Sequence, residues 1–98
     1  MIERITKNEE RLDKLIELNN ELSLSLDKYN SLKKEIAYLE KYYGSSNWLK
    51  DKEYYENNNT NVKAGVLSED GVWNALEDLD YLIKEMDKIV LNYNKKKQ

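Results

Sequence analysis

The sequence predicts an all-α protein in which a long N-terminal helix and an antiparallel C-terminal helix form a coiled-coil-like helical hairpin, with a short helix or loop between them. Three observations lead to this class. The 98 residues contain 40% hydrophobic and 36% charged side chains, a balance typical of a single folded domain. No proline occurs and the first glycine is residue 44, so no strong helix breaker interrupts the first part of the chain. Apolar residues recur at spacings of three and four towards both ends, as on one side of a helix.

The first helix is predicted from residue 2 to residue 43, because good helix formers dominate this segment. One feature opposes a continuous helix: Asn19 and Asn20 belong to a residue type that favours helix ends over helix interiors. The sequence therefore leaves open a break near Asn19, although we prefer one continuous helix because no glycine or proline turns the chain there. The predicted apolar seam of this helix consists of Ile5, Leu12, Leu15, Leu22, Leu26, Tyr29, Ile36 and Tyr43.

Gly44 is expected to end the first helix, since glycine readily adopts the left-handed conformation that follows a helix C-terminus. Ser46 is predicted to cap a short second helix over residues 46–56, which carries several aromatic side chains. The asparagine-rich segment after it favours turns. Residues 57–67 are therefore predicted to form an exposed loop.

The last helix is predicted over residues 69–94, with residues 95–98 as a basic tail. Ser68 is the expected N-cap, and Glu69 and Asp70 would place negative charge in the first turn, where the helix dipole favours it. The lysines of the tail complement the opposite end of the dipole. An unbroken series of apolar residues at heptad spacing runs through this helix: Val72, Leu76, Leu79, Ile83, Met86, Val90 and Tyr93.

The two long helices are predicted to differ in length, with about 42 residues in the first and about 26 in the last. The difference of about 16 residues corresponds to roughly 24 Å at 1.5 Å per residue. An antiparallel hairpin would therefore leave the N-terminal end of the first helix without a partner. The stripe of apolar residues on this overhang, namely Ile2, Ile5, Leu12 and Ile16, needs another surface to cover it. A second copy of the chain is the simplest partner, so we expect a homodimer.

The sequence indicates neither a membrane partner nor a nucleic-acid partner. The sequence contains no run of about 18 apolar residues, the length needed to span a membrane. In addition, Glu3, Glu9 and Glu10 lie where a signal peptide would be apolar. We therefore expect a cytoplasmic protein. The net charge of −3 is too small and too mixed to favour direct binding of nucleic acid.

No enzymatic activity, cofactor or metal ion is expected. The chain contains no histidine and no cysteine, which removes imidazole and thiol chemistry. Residues 68–87 contain seven acidic side chains against one lysine, a local balance of −6, and carboxylates can bind hard cations. However, adjacent positions of a helix point in different directions, so a solvated acidic face is the preferred interpretation.

The text YYGSSNWLKD, followed after a polar loop by KAGVLSED, resembles a family of short bacterial helical proteins known only as a domain of unknown function. The resemblance covers nearly the whole chain in layout, and it implies a helical fold but no activity. The matching residues are Tyr42, Tyr43, Gly44, Ser45, Trp48, Asp51, Gly65, Val66, Leu67, Ser68, Glu69 and Asp70.

We expect a non-enzymatic helical protein-interaction module of a bacterium or phage that binds another protein. The alternative is an inhibitor, made by a phage or mobile element, whose acidic surface mimics nucleic acid and blocks a host defence nuclease, as an anti-CRISPR protein does. For these motifs themselves we prefer a structural interpretation, because aromatic residues near a helical corner commonly pack in the core and residues Gly65 to Asp70 fit a turn followed by a helix cap. The candidate partner-binding surface comprises Trp48, Tyr54, Tyr55, Glu69, Asp70, Glu77, Asp78 and Asp80.

Overall fold

The structure, a computed structural model, describes residues 1–97 and contains three α-helices. Helix α1 is Ile2–Tyr42, α2 is Ser46–Asn57 and α3 is Gly71–Lys97, with a short 3-10 helix, Gly65–Leu67, before α3. No strand occurs within the described residues. The all-α class, with a long N-terminal helix, a C-terminal helix and a short helix between them, is confirmed. The chain divides into two compact units, Met1–Ile36 and a second unit that begins at Ala37.

The first unit is the N-terminal part of α1. The helix continues through Asn19 and Asn20 without a break, because two asparagines cost a helix less than glycine or proline would. Local contacts show how polar residues are accommodated, since the Asn8 side-chain amide donates a hydrogen bond to the Arg4 carbonyl at 2.8 Å. All residues from 1 to 35 are exposed. The unit therefore has no core of its own.

The second unit turns sharply after α1. Gly44 has φ +77°, a left-handed conformation that other residues adopt only at a cost, and it ends α1 as predicted. The cap of α2 is Ser45, whose side-chain oxygen accepts a hydrogen bond from the Trp48 backbone N–H. The prediction of Ser46 as this cap was wrong by one residue, because the glycine turn leaves Ser45 in the extended conformation that an N-cap needs.

The connection between α2 and α3 is more ordered than the predicted loop. Asn58 closes α2 by donating from its side-chain amide to the Tyr54 carbonyl at 2.8 Å, and the last three residues of the predicted loop form the 3-10 helix. Helix α3 begins at Gly71, two residues later than expected, because Glu69 and Asp70 form a turn. It extends through the lysines of the predicted tail, which the dipole favours at a helix C-terminus.

The core of the second unit is small. Trp48 and Val72, 7% and 4% exposed, are the buried hydrophobic residues of the described chain. The apolar series of α3 is half-buried at Leu76 and Leu79 and exposed further along. Its remaining members, which are 39–58% exposed, are Ile83, Met86, Val90 and Tyr93.

Candidate functional site

The residues that carry the sequence motifs meet around Trp48 in a corner, which we define as residues 42–52 together with residues 65–72. The indole Nε1–H of Trp48 donates a hydrogen bond to the Val66 carbonyl at 2.9 Å. This bond joins α2 to the 3-10 helix and satisfies the polar atom of a buried ring. The structure thus places Trp48 inside the corner, although the sequence suggested it for a partner-binding surface.

Tyr43 packs against this tryptophan and ties a third segment to it. The two rings meet edge to face, with centroids 5.2 Å apart and an interplanar angle of 67°, an arrangement that aromatic pairs favour. The Tyr43 hydroxyl donates to the backbone carbonyl of Glu69 at 2.6 Å. One tyrosine at the end of α1 therefore fixes the turn that precedes α3.

Tyr42 makes a third side-chain hydrogen bond of the corner. Its hydroxyl donates to Oδ2 of Asp51 at 2.6 Å, which joins the last residue of α1 to the middle of α2. This hydrogen bond raises the pKa of Tyr42 above its ordinary value of 10.0, and desolvation and the negative charge of Asp51 act in the same direction. Each effect opposes ionisation of the phenol beside a carboxylate.

The raised pKa of Tyr42 predicts a loss of stability in alkali. Because the folded-state pKa exceeds the unfolded value, the contribution is complete below about pH 10 and disappears as the pH rises through the folded-state pKa. We expect Tyr42→Phe to lower the urea midpoint at pH 8, and the difference from the wild type to shrink above pH 10. The control is Tyr54→Phe, which removes an exposed hydroxyl and should leave the midpoint at pH 8 unchanged. A Tyr42→Phe difference that grows above pH 10 would contradict the assignment.

Lys52 covers the outer side of the corner. Its ammonium nitrogen lies 5.2 Å from the centroid of the Trp48 ring and 3.3 Å from Oε1 of Glu69. The Lys52 side chain is about one quarter exposed, whereas that of Glu69 is largely exposed, so the ion pair is partly screened by water. Two of the predicted surface residues, Trp48 and Glu69, are thereby brought together, but by a contact within the chain.

Ser68 organises the approach to α3 with both functions of its hydroxyl. Its Oγ accepts a hydrogen bond from the Gly71 N–H at 3.0 Å, the kind of bond predicted for it, although Ser68 is the C-cap of the 3-10 helix and lies three residues before α3 begins. It also donates to the Gly65 carbonyl at 2.8 Å. The second bond ties the start of α3 to the 3-10 helix. The sequence predicted that the Ser68 hydroxyl accepts a hydrogen bond, but it did not predict that the same hydroxyl donates one to Gly65.

Two other candidate residues, Tyr54 and Tyr55, lie on α2 beside an open groove of about 270 Å³. The linked pair Tyr42 and Asp51 also lines this groove. Its volume lies below the range of about 300–1,000 Å³ that encloses small organic ligands. A second open groove, of about 450 Å³, lies against Val66 and Val72 and involves none of the candidate residues.

The acidic candidates do not form one site. Asp70 is exposed in the turn before α3, and Glu77, Asp78 and Asp80 are exposed along α3 itself. Oδ2 of Asp80 lies 2.7 Å from the Lys84 ammonium, and this hydrogen bond raises the pKa of Lys84. Within residues 1–97 no three carboxylates lie together as a metal-binding group.

Sequence reasoning missed the polar contacts that hold the corner. The Tyr42–Asp51 and Lys52–Glu69 pairs connect residues that lie 9 and 17 positions apart, and no helical periodicity predicts such a pairing. The one available signal was the motif itself, because Tyr42, Tyr43, Trp48 and Asp51 belong to the family pattern. The arrangement holds the corner together through side-chain hydrogen bonds and one buried ring, that of Trp48.

Comparison with protein families confirms the resemblance to a domain of unknown function. A family model described as Domain of unknown function (DUF4298) matches residues 5–89. Neither the curated proteins nor the solved structures gave a match. Across the part of the chain that the structure describes, no helix combines the length and apolar character needed to cross a membrane.

Proposed function

This chain belongs to the DUF4298 family, whose description states no activity, and we propose from its exposed surfaces that it is a non-enzymatic helical protein-interaction module. The corner supports this function indirectly. Its hydrogen bonds and its buried tryptophan serve the chain's own turn, which leaves the long helices as the accessible surfaces. We further propose that the module acts in the cytoplasm of a bacterium or of a phage-infected cell.

One observation carries the proposal: the apolar side chains of α1 are exposed. Ile2, Ile5, Leu12 and Ile16 are 47–78% exposed and belong to a unit in which residues 1–35 are all exposed. A row of large apolar side chains in water is unfavourable by roughly 25 cal/mol per Å². Such a surface is typical of a segment that binds another protein.

We propose a second copy of the chain as one such partner. A symmetric dimer buries the same stripe on both subunits, so one set of apolar residues suffices for both halves of the interface. Seam positions of α1 also include Asn8 and Asn19, and polar residues at such positions commonly fix the register and number of paired helices. The stripe of Ile2, Ile5, Leu12 and Ile16 is thus the proposed centre of self-association.

The dimer predicts a molar mass near twice 11.7 kDa in light scattering coupled to gel filtration at tens of micromolar. Leu12→Lys should lower the molar mass measured for the wild type, because it places a charge in the middle of the apolar interface. Leu24→Lys is the matched control, since Leu24 is an exposed leucine of the same helix outside the predicted seam. A monomeric wild type would contradict the dimer. A molar mass that Leu12→Lys leaves unchanged would contradict the α1 stripe as an interface.

The alternative, inhibition of a host defence nuclease through an acidic surface, receives less support. Two of its five acidic candidates are in ion pairs within the chain, Glu69 with Lys52 and Asp80 with Lys84. These pairs reduce the negative charge that could replace nucleic-acid phosphates. The interaction module therefore remains the preferred proposal.

A further inference from the structure

The C-terminal part of α3 carries a second unpartnered surface, which we define as the α3 face. Its members recur at helical spacing and lie on one side of the helix. Apart from half-buried Leu79 at its start, they are 39–66% exposed. The face consists of Leu79, Leu82, Ile83, Met86, Ile89, Val90 and Tyr93.

The charges of α3 are sorted along its length. From residue 71 to 84 there are three acids and one lysine, a balance of −2, whereas from residue 85 to 97 there are two acids and four lysines, a balance of +2. Two ion pairs within the helix, Asp80 with Lys84 and Glu85 with Lys88, engage charges near the middle. Of the charges outside these two pairs, Glu77 and Asp78 lie in the first half and Lys95–Lys97 lie at the end of the second, whereas Asp87 lies near the middle.

We propose that the α3 face binds the α3 face of a second copy in antiparallel orientation. Charge complementarity selects this occupant and this direction. Antiparallel pairing places the acidic half of each helix beside the basic half of the other, whereas parallel pairing would bring the acidic ends together and the basic ends together. Opposite charges beside an apolar seam are what set orientation in paired helices.

The extent of the α3 face also fixes the register. The face runs from Leu79 to Tyr93 and its midpoint is Met86, so a two-fold axis near Met86 gives the largest overlap. Leu79 of each copy then lies beside Tyr93 of the partner subunit. Asp78 and Lys96 lie on the same edge of the face, because they are separated by 18 residues, which is five helical turns. In the antiparallel pair, Asp78 is therefore brought within about two residues of Lys96 of the partner subunit.

This inference goes beyond the proposed function, because it concerns a different helix and does not require the α1 stripe to self-associate. The two surfaces can also be tested separately. Leu12→Lys alters only the α1 stripe, and variants of α3 alter only the α3 face.

Cysteine cross-linking tests the orientation directly, because the chain contains no native cysteine. Disulfides form only when the two Cα atoms lie about 4.4–6.8 Å apart. We expect Met86→Cys to give a covalent dimer under mild oxidation, and a mixture of Leu79→Cys with Tyr93→Cys to give the mixed dimer. Neither Leu79→Cys alone nor Tyr93→Cys alone should cross-link. Asn92→Cys, on the polar side of α3, is the negative control.

Each other outcome overturns the inference in a recognisable way. Cross-linking of Leu79→Cys alone would show parallel pairing. A dimer in light scattering without cross-linking at Met86→Cys would place the interface elsewhere and leave the proposed α1 dimer standing. A monomer at tens of micromolar for every variant would remove both proposals of self-association.

A charge exchange provides an independent measurement. Lys96→Glu should weaken dimerisation by roughly 2- to 30-fold, since it affects two symmetric pairs at about 0.2–1 kcal/mol each. The double variant Asp78→Lys/Lys96→Glu should restore the affinity of the wild type. Failure of the second substitution to rescue the first would contradict the antiparallel register.

Discussion

Trp48→Ala is expected to lower the free energy of unfolding by about 3–5 kcal/mol, the range for truncating a buried aromatic residue. The indole ring is 7% exposed, contacts Tyr43 edge to face and donates a hydrogen bond to Val66. Truncation removes all three contributions and leaves the Val66 carbonyl without its partner. Since small domains are stable by only about 5–15 kcal/mol, this loss is a large fraction of the free energy of unfolding. Urea unfolding followed by circular dichroism at 222 nm measures the loss.

The chain offers a matched control for this substitution. Trp73, the other tryptophan, is 54% exposed, so Trp73→Ala should cost much less. Trp48→Phe keeps an aromatic ring but removes the indole N–H, and it should fall between the two. Equal midpoints for Trp48→Ala and Trp73→Ala would contradict the assignment of Trp48 to the core.

Gly71→Ala is expected to destabilise the protein by about 1–3 kcal/mol, as overpacking of a tight site commonly does. The sign is opposite to the usual one, because replacing a helical glycine by alanine ordinarily stabilises by about 0.5–1 kcal/mol. A Cβ atom at this position would lie 2.6 Å from Oγ of Ser68 and 2.9 Å from the backbone oxygen of Gly65. It would therefore disrupt the two hydrogen bonds of Ser68, to Gly65 and from Gly71, that connect the 3-10 helix to α3.

Gly65→Ala is the control for this effect. A Cβ atom at Gly65 meets nothing within 4 Å, so this substitution should change the urea midpoint little. If Gly71→Ala instead raised the midpoint, the close approach of Ser68 and Gly65 to Gly71 would not exist in solution.

Local chemistry was enough to predict the helices. The segment before Gly44 lacks glycine and proline, and it forms one helix through Asn19 because good helix formers dominate it and no strong breaker interrupts it. Gly44 ends that helix for an equally local reason, its freedom to adopt a positive φ. The errors at helix ends were small and had local causes, with the α2 cap at Ser45 and the start of α3 at Gly71.

The candidate site was predicted less well, because its contacts join distant positions. The sequence marked Trp48 and Glu69 as surface candidates, but the fold buries Trp48 and pairs Glu69 with Lys52. Ser68 was predicted to accept a hydrogen bond, and only the neighbouring 3-10 helix supplies the Gly65 carbonyl to which it also donates. A capping motif predicts the hydrogen bond between the cap side chain and the backbone N–H groups of the next turn. It does not predict contacts of that side chain with a different element, such as the 3-10 helix.

The helical class, the approximate helix boundaries and the apolar stripes could be predicted from local sequence, since helix propensity and periodicity depend on residues within a few positions of each other. Which apolar residues are buried could not be predicted in this way. The series of α3 is uniform in sequence, yet Val72 is buried at one end and Tyr93 is exposed at the other. Burial depends on which distant segments reach a given residue, and the corner around Trp48 reaches only the first turns of α3. The rest of that series, from Ile83 to Tyr93, therefore stays exposed.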